Sequence, residues 1–585
     1  MHRAARPVAL PASLVLVAAA AGTFGPEVRP PKQPNDWFTI ERAWPEHDIP
    51  AGAYANALAQ ARAMPESVGR SSTGIWEAAG PTNVGGRITA IAGDPASASR
   101  YWVGTADGGV LRTTDNGLHW TPLLDDFGGL SIGALAHHPA QSGVLLAGTS
   151  EANASGDSYD GIGILKTTDG GDTWALVGLP NSQRIGKIAW DATNPSRIHV
   201  AVSGGLFSKG PHRGMYRSTD AGASWHQTLF VSDSTSAIDV VIDPANGDNV
   251  WCAMWERLRG PGYRDVAGLT SRMWRSTNGG DTWTQMTTGV PTGSDVARIG
   301  LAVAPTAPGT LYAVFSRFSA GSTSLDGVYK TTNGGTSWSL VSGGSLGNPY
   351  SSFGWYFGQI RVSPANANVV VVPGVTLHRS TNGGVNWSDI TGSQHVDVHD
   401  VWIDPATPSR WIAGNDGGVY RSTNSGTSWS KCPDLPITQF YAIAVDPQLP
   451  QRIYGGTQDN STPRTLTGAL DDWDVLIGGD GFTVQIDPTN SNIIYGEFQN
   501  GGLEKSTDGF NFFSLMYFGG MERTNWHMPF VIDPSDRLRL VAGSYRAWES
   551  TDGGSNWDPI SPDLTDGPGS GGLTFGTLTA IDVAP

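Results

Sequence analysis

Short apolar runs alternate with clusters of glycine, proline, asparagine and aspartate from about residue 85 to the C-terminus. The first run of each unit ends near Asp-Pro, as in AIDVVIDP (237–244), DVWIDP (400–405), AIAVDP (442–447) and VQIDP (484–488). A second run follows a few polar residues later, such as RIYGGT (452–457) or NIIYGE (492–497). A glycine-rich turn leads to a third, GMYRST (214–219) or GVYRST (418–423). An octet, [S/T]-x-[D/N]-x-G-x-x-W, makes the next turn, and its tryptophan opens a fourth run. Runs this short, rich in β-branched residues and bounded by turn formers, are strands rather than helices. Four strands per unit is the make-up of a propeller blade.

The octet ends at Trp120, Trp174, Trp225, Trp283, Trp338, Trp387, Trp429 and Trp557. A worn copy ends at Phe513, and Trp473 stands where a tenth copy belongs. The expected fold is therefore all-β, a β-propeller of ten four-stranded blades. Octet spacing falls from 49–58 residues to 40–44 after Trp387. That change predicts two modules: a seven-bladed propeller over 76–436 and a second, incomplete one over 437–585. A single ten-bladed ring is the alternative arrangement. Within the octet, Ser/Thr and Asp/Asn side chains bond nearby backbone N–H groups, glycine takes φ > 0, and tryptophan plugs the space between blades. Residues that build every blade mark no single site, so the octet aspartates are read as structural.

The ends carry different signals. MHRAARPVALPASLVLVAAAAGTFG, residues 1–25, has two arginines, an apolar stretch and then small residues. That is the form of a secretory signal peptide, which predicts a secreted protein, extracellular or periplasmic. Residues 26–75 hold the extended segment PPKQPNDWF and AYANALAQARAM (53–64), a short helix expected on the propeller's side. IWEAAGP (75–81) resembles a fourth strand and is expected to close the ring from the N-terminus. GTLTAIDVAP (576–585) copies the opening strand GGRITAIAGDP (85–95). A strand is thus expected over 577–583 with one side unpartnered, as is a continuation of the chain into further repeats. The chain as it stands is expected to be less soluble than an extended form. A formal charge of −16 excludes nucleic acid or anionic membrane held by bulk electrostatics. No later stretch approaches the ~20 apolar residues of a membrane span. Cys252 and Cys432, the two cysteines, exclude a disulfide scaffold.

Octets of this kind, the Asp-boxes or BNR repeats, occur in sialidases, in sortilin-type (VPS10) receptors and in xyloglucanase-like family 74 glycoside hydrolases. Residues 76–585 resemble secreted bacterial Asp-box proteins of the sortilin-like or "glycosyl hydrolase" type, through GPTNVGGRITAIAGDP, GNDGGVYRST, LPITQFYAIAVDP, GGTQDN, IGGDGFTVQIDP and ISPDLTDGP. The Arg-Ile-Pro signature of sialidases is missing. The family 74 resemblance implies two propellers facing each other across a cleft, with one catalytic aspartate from each. YWVGTADGGVLRTTD (101–115) resembles the first catalytic phrase and offers Asp107. IGGDGF (477–482) resembles the second, with residues missing between Asp and Gly-Phe, and offers Asp480. The resemblance then implies hydrolysis of an extracellular polysaccharide or oligosaccharide by inversion, with carboxyls about 6.5–9.5 Å apart and no cofactor or metal. The sortilin resemblance implies instead a non-catalytic propeller that holds a peptide or protein ligand.

Strand direction offers a separate argument. In an antiparallel blade the turns between strands two and three share a face with the links from strand four to the next strand one, opposite the octets. Asp107 and Asp480 fall on that shared face. So do Glu151 (GTSEAN), Asp416 (GNDGG), Gln458 and Asp459 (GGTQDN) and Gln499 (GEFQN), read as substrate-binding. Asp-Gly-Gly is also a good tight turn, so Asp107 and Asp416 keep a structural reading beside the functional one. FGWYFGQ (353–359) offers Trp355 and Tyr356 as a sugar-stacking platform or as core. In HVDVHD (395–400), His395, Asp397 and His399 would face one way on a strand, a metal-like pattern. The segment spans a link and a strand start, however, so a polar channel lining is expected. WERLRGPGYRD (255–265) is read as an exposed insertion on the same face.

Overall fold

In the computed structural model, residues 49–64 and 77–584 are described, apart from 126, 129–130, 157, 261–262 and 566–575. The expected signal peptide and Trp76 lie outside them. The described residues form ten four-stranded antiparallel sheets, over 88–122, 132–178, 185–229, 235–286, 296–340, 361–389, 398–431, 440–477, 481–517 and 530–559. These are sheets one to ten here. Each runs in chain order by hairpins, and a two-stranded hairpin, Leu258–Gly260 with Tyr263–Asp265, is inserted in sheet four. The chain is all-β and of propeller type, with one α-helix, Ala53–Ala63, among the described residues.

The octet shows how local chemistry builds the third hairpin in eight of the ten sheets. Ser218 ends a strand, and its hydroxyl accepts the N–H of Gly222 (2.8 Å) and donates to Asp220 (2.7 Å). Asp220 in turn accepts the N–H of Ser224 (2.9 Å). Gly222 has φ 95°, a conformation an L side chain rarely takes. Trp225 then donates its indole N–H to Val177 O in the preceding sheet (3.0 Å). The Ser/Thr-to-Gly bond recurs at Thr113, Thr167, Ser276, Thr331, Ser380, Ser422 and Ser550.

The first strands of sheets one to seven pack in succession, and that of sheet one, Ile88–Asp94, also packs on Val398–Ile403 and Trp411–Asn415 of sheet seven. Ile88, Ile91, Tyr101 and Val103 share a core with Ile412, Val419 and Leu435. The fit is close: a Cβ on Gly93 would strike Trp402 at 2.1 Å, and one on Gly414 would strike Ile88 at 2.4 Å. Asp400 accepts the N–H of Ile91 across this junction (3.1 Å). Sheets eight, nine and ten pack successively on one another. Residues 82–84 lie between the two groups: Thr82 N–H donates to Leu470 O (2.7 Å), and Val84 O accepts from the hydroxyl of Thr438 (2.8 Å).

The helix lies against the link between sheets one and two, where Tyr54 donates to Gly128 O (2.9 Å), and Leu58 joins the core of those two sheets. Three expectations are corrected. Residues 77–81 form no strand. Nor do residues 576–584, although Leu578 rests on Gly543 and donates its N–H to Ser544 O (2.7 Å). Among the described residues no strand pairs with this segment, and an extended segment without a ladder partner is not a strand. The insertion in sheet four is not simply exposed. Arg257 and Arg259 are buried, donating to Asn153 O (2.6 Å) and Ala154 O (2.9 Å).

Candidate functional site

The face opposite the octets holds a polar cluster centred on Arg87, the residue immediately before the first strand of sheet one. Its guanidinium is buried and makes a two-pronged contact with Asp416, Nε to Oδ1 at 3.1 Å and Nη2 to Oδ2 at 3.3 Å. It also approaches Glu151 (3.8 Å) and Asp459 (3.7 Å), and it lies over the ring of Tyr356 (5.2 Å). Four different sheets and the link into sheet six thus meet at one cation. Arginine suits this role because its planar fork matches carboxylate geometry.

The carboxyls around Arg87 cannot all carry charge cheaply. Burial alone would raise Asp416, but Arg87 and the hydrogen-bonded ring of His399 hold it well below the usual carboxylate range. Burial, with the charge of Asp416 beside them, raises Asp459 well above that range and Asp397 to about 7. Asp480 is also raised by burial, although the N–H of Asp459 donates to its Oδ1 (2.5 Å). Burial lowers His399, which stacks on Phe357 (ring centroids 5.4 Å apart). Carboxylate oxygens of Asp397, Asp416 and Asp459 come within 4.8 Å of one another. A cation already stands there, since Arg87 touches both Asp416 and Asp459.

Asp107 is reached through Gln439. The Gln439 amide donates to Asp107 Oδ2 (3.2 Å), while its Oε1 accepts the backbone N–H of Arg87 (3.2 Å). Gln499 holds Asp480 from the other side, accepting its N–H at Oε1 (2.9 Å) and donating its own N–H to the Asp480 carbonyl (3.2 Å). Gln458 enters through its backbone, N–H to Gln439 O (3.0 Å). Glu151 accepts from Asn153 (2.9 Å) and from the Tyr356 hydroxyl (3.4 Å). Trp355 is buried and carries the Arg264 guanidinium over its ring (4.0 Å), so it packs as core rather than as a platform. A cavity of about 40 Å³ beneath the cluster is lined by Thr89, Glu151, Arg298, Tyr356 and His399. It has room for water.

Asp397 has φ 63° and precedes the strand, which begins at Val398. The alternation of His395, Asp397 and His399 therefore breaks, and His395 turns instead toward Asp459 O (3.3 Å). Arg87 and Gln439 were not legible as site residues from motif alone. A positional signal does exist. Arg87, Tyr356, Asp397, Gln439 and Asp480 each stand seven residues before the residue in the Asp-Pro position, at or just past the end of strand one, namely Asp94, Ser363, Asp404, Asp446 and Asp487. One repeat position thus supplies side chains from five of the ten sheets to a common cluster.

No family model matches the chain. A curated xyloglucanase from a Paenibacillus species is 28% identical over 268 residues, covering 41% of this chain and 25% of its own length. The chain spans about a quarter of that relative. Among solved structures, the family 74 xyloglucanase of Xanthomonas campestris is 16% identical with a TM-score of 0.51, over 83% of this chain and 81% of its own. An ancestral family 74 enzyme is 15% identical with a TM-score of 0.42, over 83% and 85%. The Paenibacillus match in sequence and the Xanthomonas match in fold relate the chain to the family 74 glycoside hydrolases.

Proposed function

We propose that the chain hydrolyses an extracellular polysaccharide with inversion, using Asp107 and Asp480 as its carboxyl pair. The observation that carries this reading is the run of contacts from Asp107 through Gln439, Arg87 and Asp459 to Asp480. It ties a two-to-three turn of sheet one to the link between sheets eight and nine. The ends of that run lie in unlike surroundings, as acid and base must. Asp480 is buried, which raises its affinity for a proton, and it takes the role of donor to the leaving glycosidic oxygen. Asp107 is exposed, and takes a proton from the water that attacks the anomeric carbon. The C–O bond breaks with its electron pair leaving on the oxygen protonated by Asp480, and the new C–O bond forms on the opposite face. Glu151, Tyr356, Asp416, Asp459, Gln458 and Gln499 form the polar floor that orients the sugar. The Paenibacillus relative makes xyloglucan the first substrate to test.

The test is incubation of the purified chain with xyloglucan, with products followed by mass and the newborn anomer by proton NMR. Inverted product is expected. Asp480→Asn and Asp107→Asn should each lower kcat by about 10²–10⁴, the usual contribution of general acid–base catalysis. Retained configuration, or full activity in either variant, overturns the assignment. A chain that neither cleaves nor binds any glycan, but retains a peptide ligand, overturns the hydrolase reading itself.

A further inference from the structure

The repeat position that supplies Arg87, Tyr356, Gln439 and Asp480 to the cluster is filled in sheet ten by Trp526, seven residues before Asp533. Trp526 is more than a third exposed (37%), and among the described residues no other tryptophan is as open. Large aromatic rings are normally withdrawn from water, so an open one on a ligand face asks for a partner.

The backbone around this indole is held from four sides. The Trp526 carbonyl accepts the N–H of Asn500 (3.0 Å), and its own N–H donates to the Asn525 side chain (2.8 Å). Next along the chain, His527 shares a hydrogen bond with the Thr483 hydroxyl (2.6 Å), and Met528 N–H donates to the buried carboxyl of Glu497 (2.6 Å). Asn500 adjoins Gln499, the residue that holds Asp480. Phe482, two residues beyond Asp480, meets the Trp526 ring edge-on (6.2 Å, 85°) and stacks on His527 (5.1 Å, 15°). Trp526 is thereby fixed to both segments that position Asp480, while its ring is left open.

We infer that Trp526 is a sugar-stacking residue of the substrate cleft, placing one pyranose ring beside Asp480. This rests on the polysaccharide reading above. A pyranose presents a face of axial C–H groups that packs flat on an indole, while its equatorial hydroxyls stay in reach of polar neighbours such as Gln499 and Asn500. The rigid backbone means that little order is lost on binding, which favours affinity over an equally exposed but loosely held ring.

The experiment uses the full chain carrying Asp480→Asn, so that substrate survives, and measures binding of xyloglucan oligosaccharides by calorimetry with and without Trp526→Ala. A loss of affinity of at least tenfold is expected, with Trp526→Phe recovering most of it. In the chain with Asp480 intact, Trp526→Ala should raise KM more than it lowers kcat. Thermal melting verifies that the variants are folded. Unchanged affinity in folded Trp526→Ala, with hydrolysis by the native chain intact, overturns the stacking role alone. Absence of both hydrolysis and binding in the native chain overturns the polysaccharide reading and this inference with it.

Discussion

Asp397 shows what a single residue in this cluster costs. Its backbone is left-handed, its N–H donates to Val375 O (3.1 Å), and its carboxyl feels the charges of Asp416 and Asp480, opposed by that of Arg87. Burial and the Asp416 charge push it up to about 7, from about 3.9 in an unfolded chain. The folded state therefore binds the proton more tightly than the unfolded one. The stability this contributes is full below about pH 4 and is lost as pH rises through about 7. Asparagine tolerates a left-handed backbone and carries no charge. Asp397→Asn should thus flatten the decline in urea midpoint between pH 4 and 7 and make the protein more stable than the native chain at pH 8. A native-like slope in the variant would assign that decline to other groups. Asp416 titrates in the opposite sense: depressed by Arg87 and His399, it supports the fold above its unfolded pKa and fails it only in acid.

At the scale of the element, the octet hairpin combines one hydroxyl, one carboxylate or amide, and one glycine. In sheet six, Ser380 accepts the buried N–H of Gly384 (2.9 Å) and donates to Asn382 (3.0 Å), and Gly384 has φ 96°. Ser380→Ala leaves the Gly384 N–H buried without its acceptor, at a cost of about 1–3 kcal/mol. Chemical denaturation should record that loss. Ser337→Ala, an exposed octet position in sheet five that receives a bond from Asn333 (2.9 Å), should change the midpoint far less. The strand pattern and the octet turns were readable from the chain because both are local. The insertion of sheet four was not, because its place between strands two and three implies exposure that its arginines do not have. Arg257 is instead buried with backbone oxygens as partners, and no sequence pattern announces a carbonyl waiting a hundred residues away.

For the whole molecule, the informative comparison is the first-strand residue three before the Asp-Pro position. It is buried in sheet one (Ile91, 7% exposed) and sheet seven (Val401, 1%), where the neighbouring sheet covers it. In sheet eight the same position is Ile443, 70% exposed, and Tyr441 and Val445 are open beside it. An apolar strand face of this kind favours association between molecules. Ile443→Thr should leave the unfolding midpoint within about 0.5 kcal/mol of native, as for a surface change. It should also raise the concentration at which light scattering first detects oligomers. An unchanged threshold would mean that this face does not drive association.

The repeat, the four strands of each unit, the octet hairpins and the helix at 53–63 all follow from the chain itself, because each depends on periodicity and turn chemistry within a few residues. Strand-direction logic put Asp107, Glu151, Asp416, Asp459 and Asp480 on one face. Which of them meet was decided only by the tertiary structure. Arg87 and Asp416 are 329 residues apart and touch because sheet one packs on sheet seven, a contact set by the fit of Gly93 to Trp402 and of Gly414 to Ile88. The direction in which each carboxyl of the cluster is shifted was likewise beyond the sequence, since burial and the placing of a single guanidinium decide it.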